Sequence, residues 1–175
     1  MEFTETKLAG AFILDVERQE DPRGFFARVF CVHELEAKGL NARVVQCSIS
    51  FSRRKGTIRG MHWQEPPMAE VKVIRCTRGA LLDVIVDLRP GSPTRLQHIS
   101  VELSENNGRM LYIPEGFAHG FQTLADETEA LYQMTQFFAP ECARGARWND
   151  PGFGIHWPLP EPILNERDRS WPDFH

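Results

Sequence analysis

Short apolar runs broken by turn residues set the rhythm of this chain. AFILDV, VVQCSISF, VKVIRC, LLDVIVDL, HISVEL and EALYQMTQFF are rich in Val, Ile, Leu and Phe. Between and beside them fall Asp21-Pro22-Arg23-Gly24, Arg78-Gly79, Pro90-Gly91-Ser92-Pro93, Asn106-Asn107-Gly108 and Pro114-Glu115-Gly116. Gly supplies positive φ, Pro fixes φ, and Asn or Asp bonds its own backbone, so such clusters favour turns. Short strands at this spacing predict an all-β sandwich or barrel.

Period-two alternation assigns faces within each strand. In LLDVIVDL, Leu82, Val84, Val86 and Leu88 share one side, and Asp83, Ile85 and Asp87 the other. Lys72 shares a face with Ile74 and Cys76, and Tyr132 with Ala130 and Met134. A lysine and a tyrosine on apolar faces point either into a barrel interior or, by snorkelling, to its edge. One helix is predicted over CVHELEAKGL, with Gly39 at its C-terminal cap. The proline-punctuated tail from Trp157 to His175 is expected to wrap the barrel, with a short turn at Asn165–Asp168.

Composition narrows the class. A chain of 175 residues predicts one domain spanning 1–175. A hydrophobic content of 42% and a charged content of 25% are ordinary for a globular protein. The net charge of −4 gives no support to nucleic acid as a partner. No run approaches the roughly 18 apolar residues of a membrane span. MEFTETKLAG has no basic segment followed by an apolar one, so no secretory signal is read there. Cys31, Cys47, Cys76 and Cys142 form no C-x-x-C pair, which fits reduced thiols in the cytoplasm.

Candidate chemistry centres on RGMHWQEPPMAEVK, from Arg59 to Lys72. Alone, a histidine between Met61 and Trp63 reads as packing. With Lys72, His119, Tyr132 and Asp168 it reads as part of a site. Imidazole transfers protons near neutral pH and needs an orienting partner, often a carboxylate. A phenol can return a proton, and an ammonium lowers the energy of a developing enolate oxygen. Together these are the parts for proton abstraction beside a carbonyl. A metal site built from the histidines and Glu70 is the rival, but HWQ lacks the usual ligand spacing. On an ideal strand Arg59 and His62 would face opposite ways; a bulge at Gly60 would bring them together.

Six blocks in order resemble the dTDP-4-dehydrorhamnose 3,5-epimerase family: RGFF, KGTIRGMHWQ, VDLRPGSPT, LYIPEGFAHGF, RWNDP and LNERD. The resemblance covers nearly the whole chain. It implies a cupin-type double-stranded β-helix, or jelly roll, with short peripheral helices. It implies a nucleotide-diphosphate sugar as partner, a homodimer in which an N-terminal strand crosses over, and no metal or organic cofactor. By the family's pattern His62 is the base, Asp168 its partner, Lys72 the enolate stabiliser and Tyr132 the proton donor. Arg23, Arg59, Gln46 and Ser48 would hold the diphosphate, and His119 the sugar or a phosphate. Phe138 falls where the family stacks an aromatic on the base.

Three positions depart from that pattern. Arg28 stands where the thymidine enzymes usually carry a glutamate, Cys47-Ser48 replaces Asp-Asn, and Ala143 replaces a frequent glutamate. All three lie toward the nucleotide, which leaves dTDP, CDP and GDP open as carriers. A sugar ketoisomerase and a non-catalytic cupin that binds a sugar or metal are the alternatives on the same fold.

Overall fold

The computed structural model describes residues 1–175. In chain order the N-terminal half holds β1 (Glu2–Glu5), β2 (Phe12–Asp15), β3 (Gln19–Asp21), β4 (Gly24–Phe26), α1 (Val32–Glu36), β5 (Gln46–Ser52), β6 (Ile58–Gln64) and β7 (Lys72–Arg78). Next come β8 (Ala80–Asp87), β9 (His98–Ser104), β10 (Met110–Ile113), β11 (Phe117–Thr123), β12 (Thr128–Met134), β13 (Ala143–Gly145) and α2 (Glu166–Ser170).

One sheet runs β1-β2-β10-β7-β12-β5 and a second runs β13-β6-β11-β8-β9. Neighbours in both are antiparallel, and most are distant in sequence. This is the two-sheet jelly roll that the family resemblance implies, within the sandwich or barrel class that the strand pattern predicts. The sheets share a core in which Ile74, Leu111 and Ala130 of one meet Leu81, Ile85, Leu103 and Phe121 of the other. Removing apolar area of this kind from water, at about 25 cal/mol per Å², is what drives the sheets together.

The alternation in β8 marks two faces, yet both are buried. Leu81 and Ile85 join the inner core, while Val84, Val86 and Leu88 pack outward on Met61, Ala118, Ala146 and Phe153. The tail supplies that outer cover: Trp157 and Phe174 lie against the same cluster. The wrapping tail of the sequence reading is therefore a real layer, and it closes on α2, whose N-cap Asn165 accepts from the Asp168 N–H at 2.7 Å.

Two boundaries differ from expectation. The helix read over CVHELEAKGL is only the five residues of α1; a turn completes it, with the Leu40 and Gly39 N–H groups donating to the Leu35 and Glu36 carbonyls. The strand read as EALYQMTQFF stops at Met134. Thr135 then turns against Val71: its Oγ accepts from the Val71 N–H, and its own N–H donates to the Val71 carbonyl. Phe137 and Phe138 leave the sheet and are exposed.

Candidate active site

The bulge foreseen at Gly60 is present. Across β6 and β11, His62 pairs with His119 but Arg59 pairs with Phe121, so two residues on β6, Gly60 and Met61, oppose one on β11, Gly120. Gly60 has φ +132°, and a Cβ there would lie 2.5 Å from the Gly120 Cα. A Cβ on Gly120 would in turn meet the Arg59 carbonyl at 2.9 Å. Two facing glycines thus let the backbones approach and rotate the strand, so Arg59 and His62 line one cavity. Arg59 is held there: Nε donates to Ser52 Oγ at 3.2 Å and Nη2 to the Phe51 carbonyl at 2.9 Å.

His62 donates from Nε2 to Asp168 Oδ1 at 2.6 Å. The imidazole is 38% exposed, whereas the carboxylate is buried. Burial opposes ionisation of Asp168, but the His62 hydrogen bond and charge, the Gly60 N–H and nearby Arg167 outweigh it. The carboxyl is therefore held below the usual carboxylate range.

The register partner His119 carries a carboxylate of its own. Its Nε2 lies 2.9 and 3.1 Å from the two oxygens of Asp83 on β8. Here burial wins: it pushes the Asp83 carboxyl up, with His119 and Lys72 only partly offsetting it. Tyr132 packs edge-on against His119, ring centroids 6.0 Å apart. Burial and then the Asp83 charge raise its phenol above the usual tyrosine range, so it stays protonated. Lys72 pairs with Glu70, Nζ to Oε1, at 3.1 Å.

These groups surround a cavity of about 530 Å³. His62, Lys72, Tyr132 and Asp168 line it, together with Arg59, His119, Ser48 and Phe138. Gln46 does not; its side-chain oxygen accepts from the Phe138 N–H and so places that ring's backbone. Arg23 does not either: it lies at the tip of the β3–β4 hairpin, 90% exposed and paired with Asp21. Arg28 pairs with Glu34 beside the N-terminal amine, away from the cavity. Within the single chain, then, the nucleotide-side arginines 23 and 28 are not brought to the catalytic types. The reason is that β3 and β4 pair only with each other and with neither large sheet.

Sequence reasoning missed Asp83, Ser50, Phe51 and Asn165. Asp83 carried a signal: an acid sharing a strand face with Leu81 and Ile85 must find a partner when buried. Ser50 also lines the cavity, and its buried hydroxyl bonds to nothing in the chain. No group of three or more His, Cys, Asp or Glu side chains is spaced to hold a metal ion.

A family model described as dTDP-4-dehydrorhamnose 3,5-epimerase matches residues 5–175. A protein of that name from Sinorhizobium fredii is 42% identical over 175 residues, 99% of this chain and 90% of the relative. The crystal structure of dTDP-4-dehydrorhamnose 3,5-epimerase from Bacillus anthracis, with TDP and PPi bound, superposes with a TM-score of 0.96 at 40% identity, covering 99% of each chain. That of dTDP-6-deoxy-D-glucose-3,5-epimerase from Legionella pneumophila, in complex with dTDP-4-keto-L-rhamnose, gives 0.92 at 34% identity over 98% of this chain and 92% of the other. With a family model matching residues 5–175 and a relative 42% identical over 99% of it, the chain belongs to the dTDP-4-dehydrorhamnose 3,5-epimerase family.

Proposed function

We propose that the chain is an isomerase that epimerises C3, C5 or both in a nucleotide-linked 4-keto-6-deoxy sugar. The observation that carries this reading is the 2.6 Å bond between a cavity-facing His62 and a buried, ionised Asp168, with Lys72 and Tyr132 lining the same cavity. Because a carboxylate accepts from Nε2, the ring proton sits there and Nδ1 is the basic nitrogen.

The C4 carbonyl acidifies the hydrogens on C3 and C5. His62 takes one of them, and the bonding pair moves into the ring to leave an enolate with its charge on the C4 oxygen. Lys72 offers an ammonium to that charge, a term that exists only once the charge develops. Tyr132, kept protonated by its dry surroundings, gives a proton to the opposite face of the same carbon. Collapse of the enolate restores the ketone with the centre inverted. His62 returns its proton to solvent and the tyrosinate takes one back.

Arg59, Ser48 and His119 are suited to the diphosphate and sugar, Arg59 through its planar fork. Phe138, at the cavity's edge, is suited to stack on the nucleobase. Gln46 supports this wall through Phe138 rather than by lining it. The relatives solved with TDP and with dTDP-4-keto-L-rhamnose support a thymidine carrier. A homodimer with exchanged N-terminal segments fits the hairpin, whose Arg23, Phe25 and Phe26 are exposed and unclaimed by either large sheet. In such a dimer Arg23 would serve the other subunit's diphosphate. No helix is long and apolar enough to cross a membrane, and all four thiols are free, which supports a cytoplasmic enzyme.

The test is incubation with dTDP-, CDP- and GDP-linked 4-keto-6-deoxy sugars in D2O, following C3 and C5 by NMR. Deuterium should enter at one or both carbons with the dTDP sugar. No deuterium at either carbon with any carrier would sink the epimerase reading, and recovery of a 3-keto sugar would make the chain a ketoisomerase.

A further inference from the structure

Glu70 has no part in the chemistry above, yet it lies in the cavity beside the group meant to stabilise the enolate. It precedes Lys72 by two residues on an extended segment, so both side chains leave the same face. Their Nζ–Oε1 separation is 3.1 Å, with only 14% of the lysine and 11% of the glutamate side chain exposed. No other carboxylate pairs with Lys72. The backbone between them is clamped: Thr135 takes the Val71 N–H on its hydroxyl and bonds the Val71 carbonyl with its own N–H.

Those facts fix more than a contact. Lysine is a point charge on a four-carbon stem with many rotamers, and nothing in its own geometry aims it. An acid fixed two residues away, on clamped backbone, selects the rotamers that keep Nζ over the cavity. It occupies one of three N–H donors and leaves two for a ligand. The rival claims on the ammonium are Asp83, which feels the lysine's charge, and an incoming diphosphate. A pair this enclosed is also costly to break from one side, because the remaining charge is left uncompensated. Arg59 and Ser48 line the same cavity and are available to the phosphates without Lys72.

We infer that Glu70 is a positioning residue: it holds the Lys72 ammonium at the place where the C4 oxygen becomes an enolate, and so acts on the transition state rather than on substrate binding. This rests on the epimerase reading, and the experiment separates the two. Deuterium wash-in and steady-state epimerisation are measured for the wild type, Glu70→Gln, Glu70→Asp, Lys72→Met and the Glu70→Gln/Lys72→Met double variant. The expected result for Glu70→Gln is a kcat lower by about tenfold to a hundredfold with KM nearly unchanged, measured well below a melting temperature that the unpaired Lys72 charge lowers. Glu70→Asp, which retains the charge one methylene short, should fall between. In the Lys72→Met background the Glu70 change should add nothing, because the two act through one group. A wild type with no wash-in would defeat the epimerase reading itself. A wild type that exchanges, alongside a Glu70→Gln enzyme with unaltered kcat, or altered only in KM, would overturn the role of Glu70 alone. Additive losses in the double variant would do the same.

Discussion

The molecule holds two histidine–carboxylate pairs side by side, and they are opposites. His62 and His119 are register partners on β6 and β11, each bonded through Nε2 to an aspartate. Asp168 comes from the first turn of α2, gains the Gly60 N–H besides His62, and is held more acidic than usual. Asp83 comes from the middle of a central strand, has no backbone donor, and is pushed the other way by burial. The rings differ likewise: His62 is 38% exposed and His119 only 5%. Identical residue pairs thus serve different ends. An imidazole that exchanges protons must see both substrate and solvent, with an ionised partner to hold its tautomer. The less exposed imidazole also lines the cavity, and there it stands edge-on to the ring of Tyr132 with a carboxylate that burial makes less acidic.

The strongest way to break this contrast is to remove each ring. His62→Ala should abolish deuterium exchange, a loss of about a thousandfold, since a positioned base contributes on that scale. His119→Ala should weaken binding and slow turnover while exchange remains measurable. NMR exchange at C3 and C5 decides. Residual exchange surviving in His62→Ala but not in His119→Ala would reverse the assignment of the two pairs.

A smaller effect separates the carboxylates. Asp168→Asn can still bond the ring but stabilises the wrong tautomer and no imidazolium, so turnover should fall about a hundredfold. Asp83→Asn, which exchanges one buried acceptor for another, should cost about tenfold. Equal losses would mean that both pairs carry charge during turnover. Tyr132→Phe sharpens the same point from the acid side: exchange should persist, because His62 still removes and returns protons on one face, while inverted product declines. Unchanged epimerisation would take Tyr132 out of the mechanism.

Much of this was legible in the sequence, and the illegible part has a common cause. The strands and their faces follow from local rules, and those rules permit the bulge at Gly60; the pairing of His62 with Asp168 and the roles of Lys72 and Tyr132 come from the family resemblance. What local rules leave open is which face of a strand meets what. Nothing in LLDVIVDL says that a tail some seventy residues later will cover its outer side, so the burial of both faces was invisible. Arg23 and Arg28 lie apart from the cavity for a related reason: the hairpin that carries Arg23 pairs with neither large sheet, and Arg28, just after it, pairs with Glu34. Asp83 is different. An acid on an apolar face is itself a sign of a buried pair, and His119 in AHGF was the available partner.

The weakest effect should be visible in stability against pH, where the two pairs have opposite sign. A carboxyl more acidic in the folded than in the unfolded chain contributes stability that is full above the unfolded value and lost as pH falls through the folded one. That is Asp168, so its contribution is present at neutral pH and fades on acidification. A carboxyl made less acidic by folding contributes stability that is full below the unfolded value and lost as pH rises through the folded one. That is Asp83, which faces His119 and the Lys72 charge and is still raised. Urea midpoints from about pH 2 to about pH 8 for the wild type, Asp168→Asn and Asp83→Asn would separate the two signs, because the Asp168 contribution is lost only below the ordinary carboxylate value. Relative to the wild type, Asp168→Asn should lose most near neutrality and least in acid, and Asp83→Asn should gain as pH rises. Parallel curves for the two variants would mean that both carboxylates titrate alike, and the contrast between an ionised pair at the mouth and a sealed pair behind it would fall.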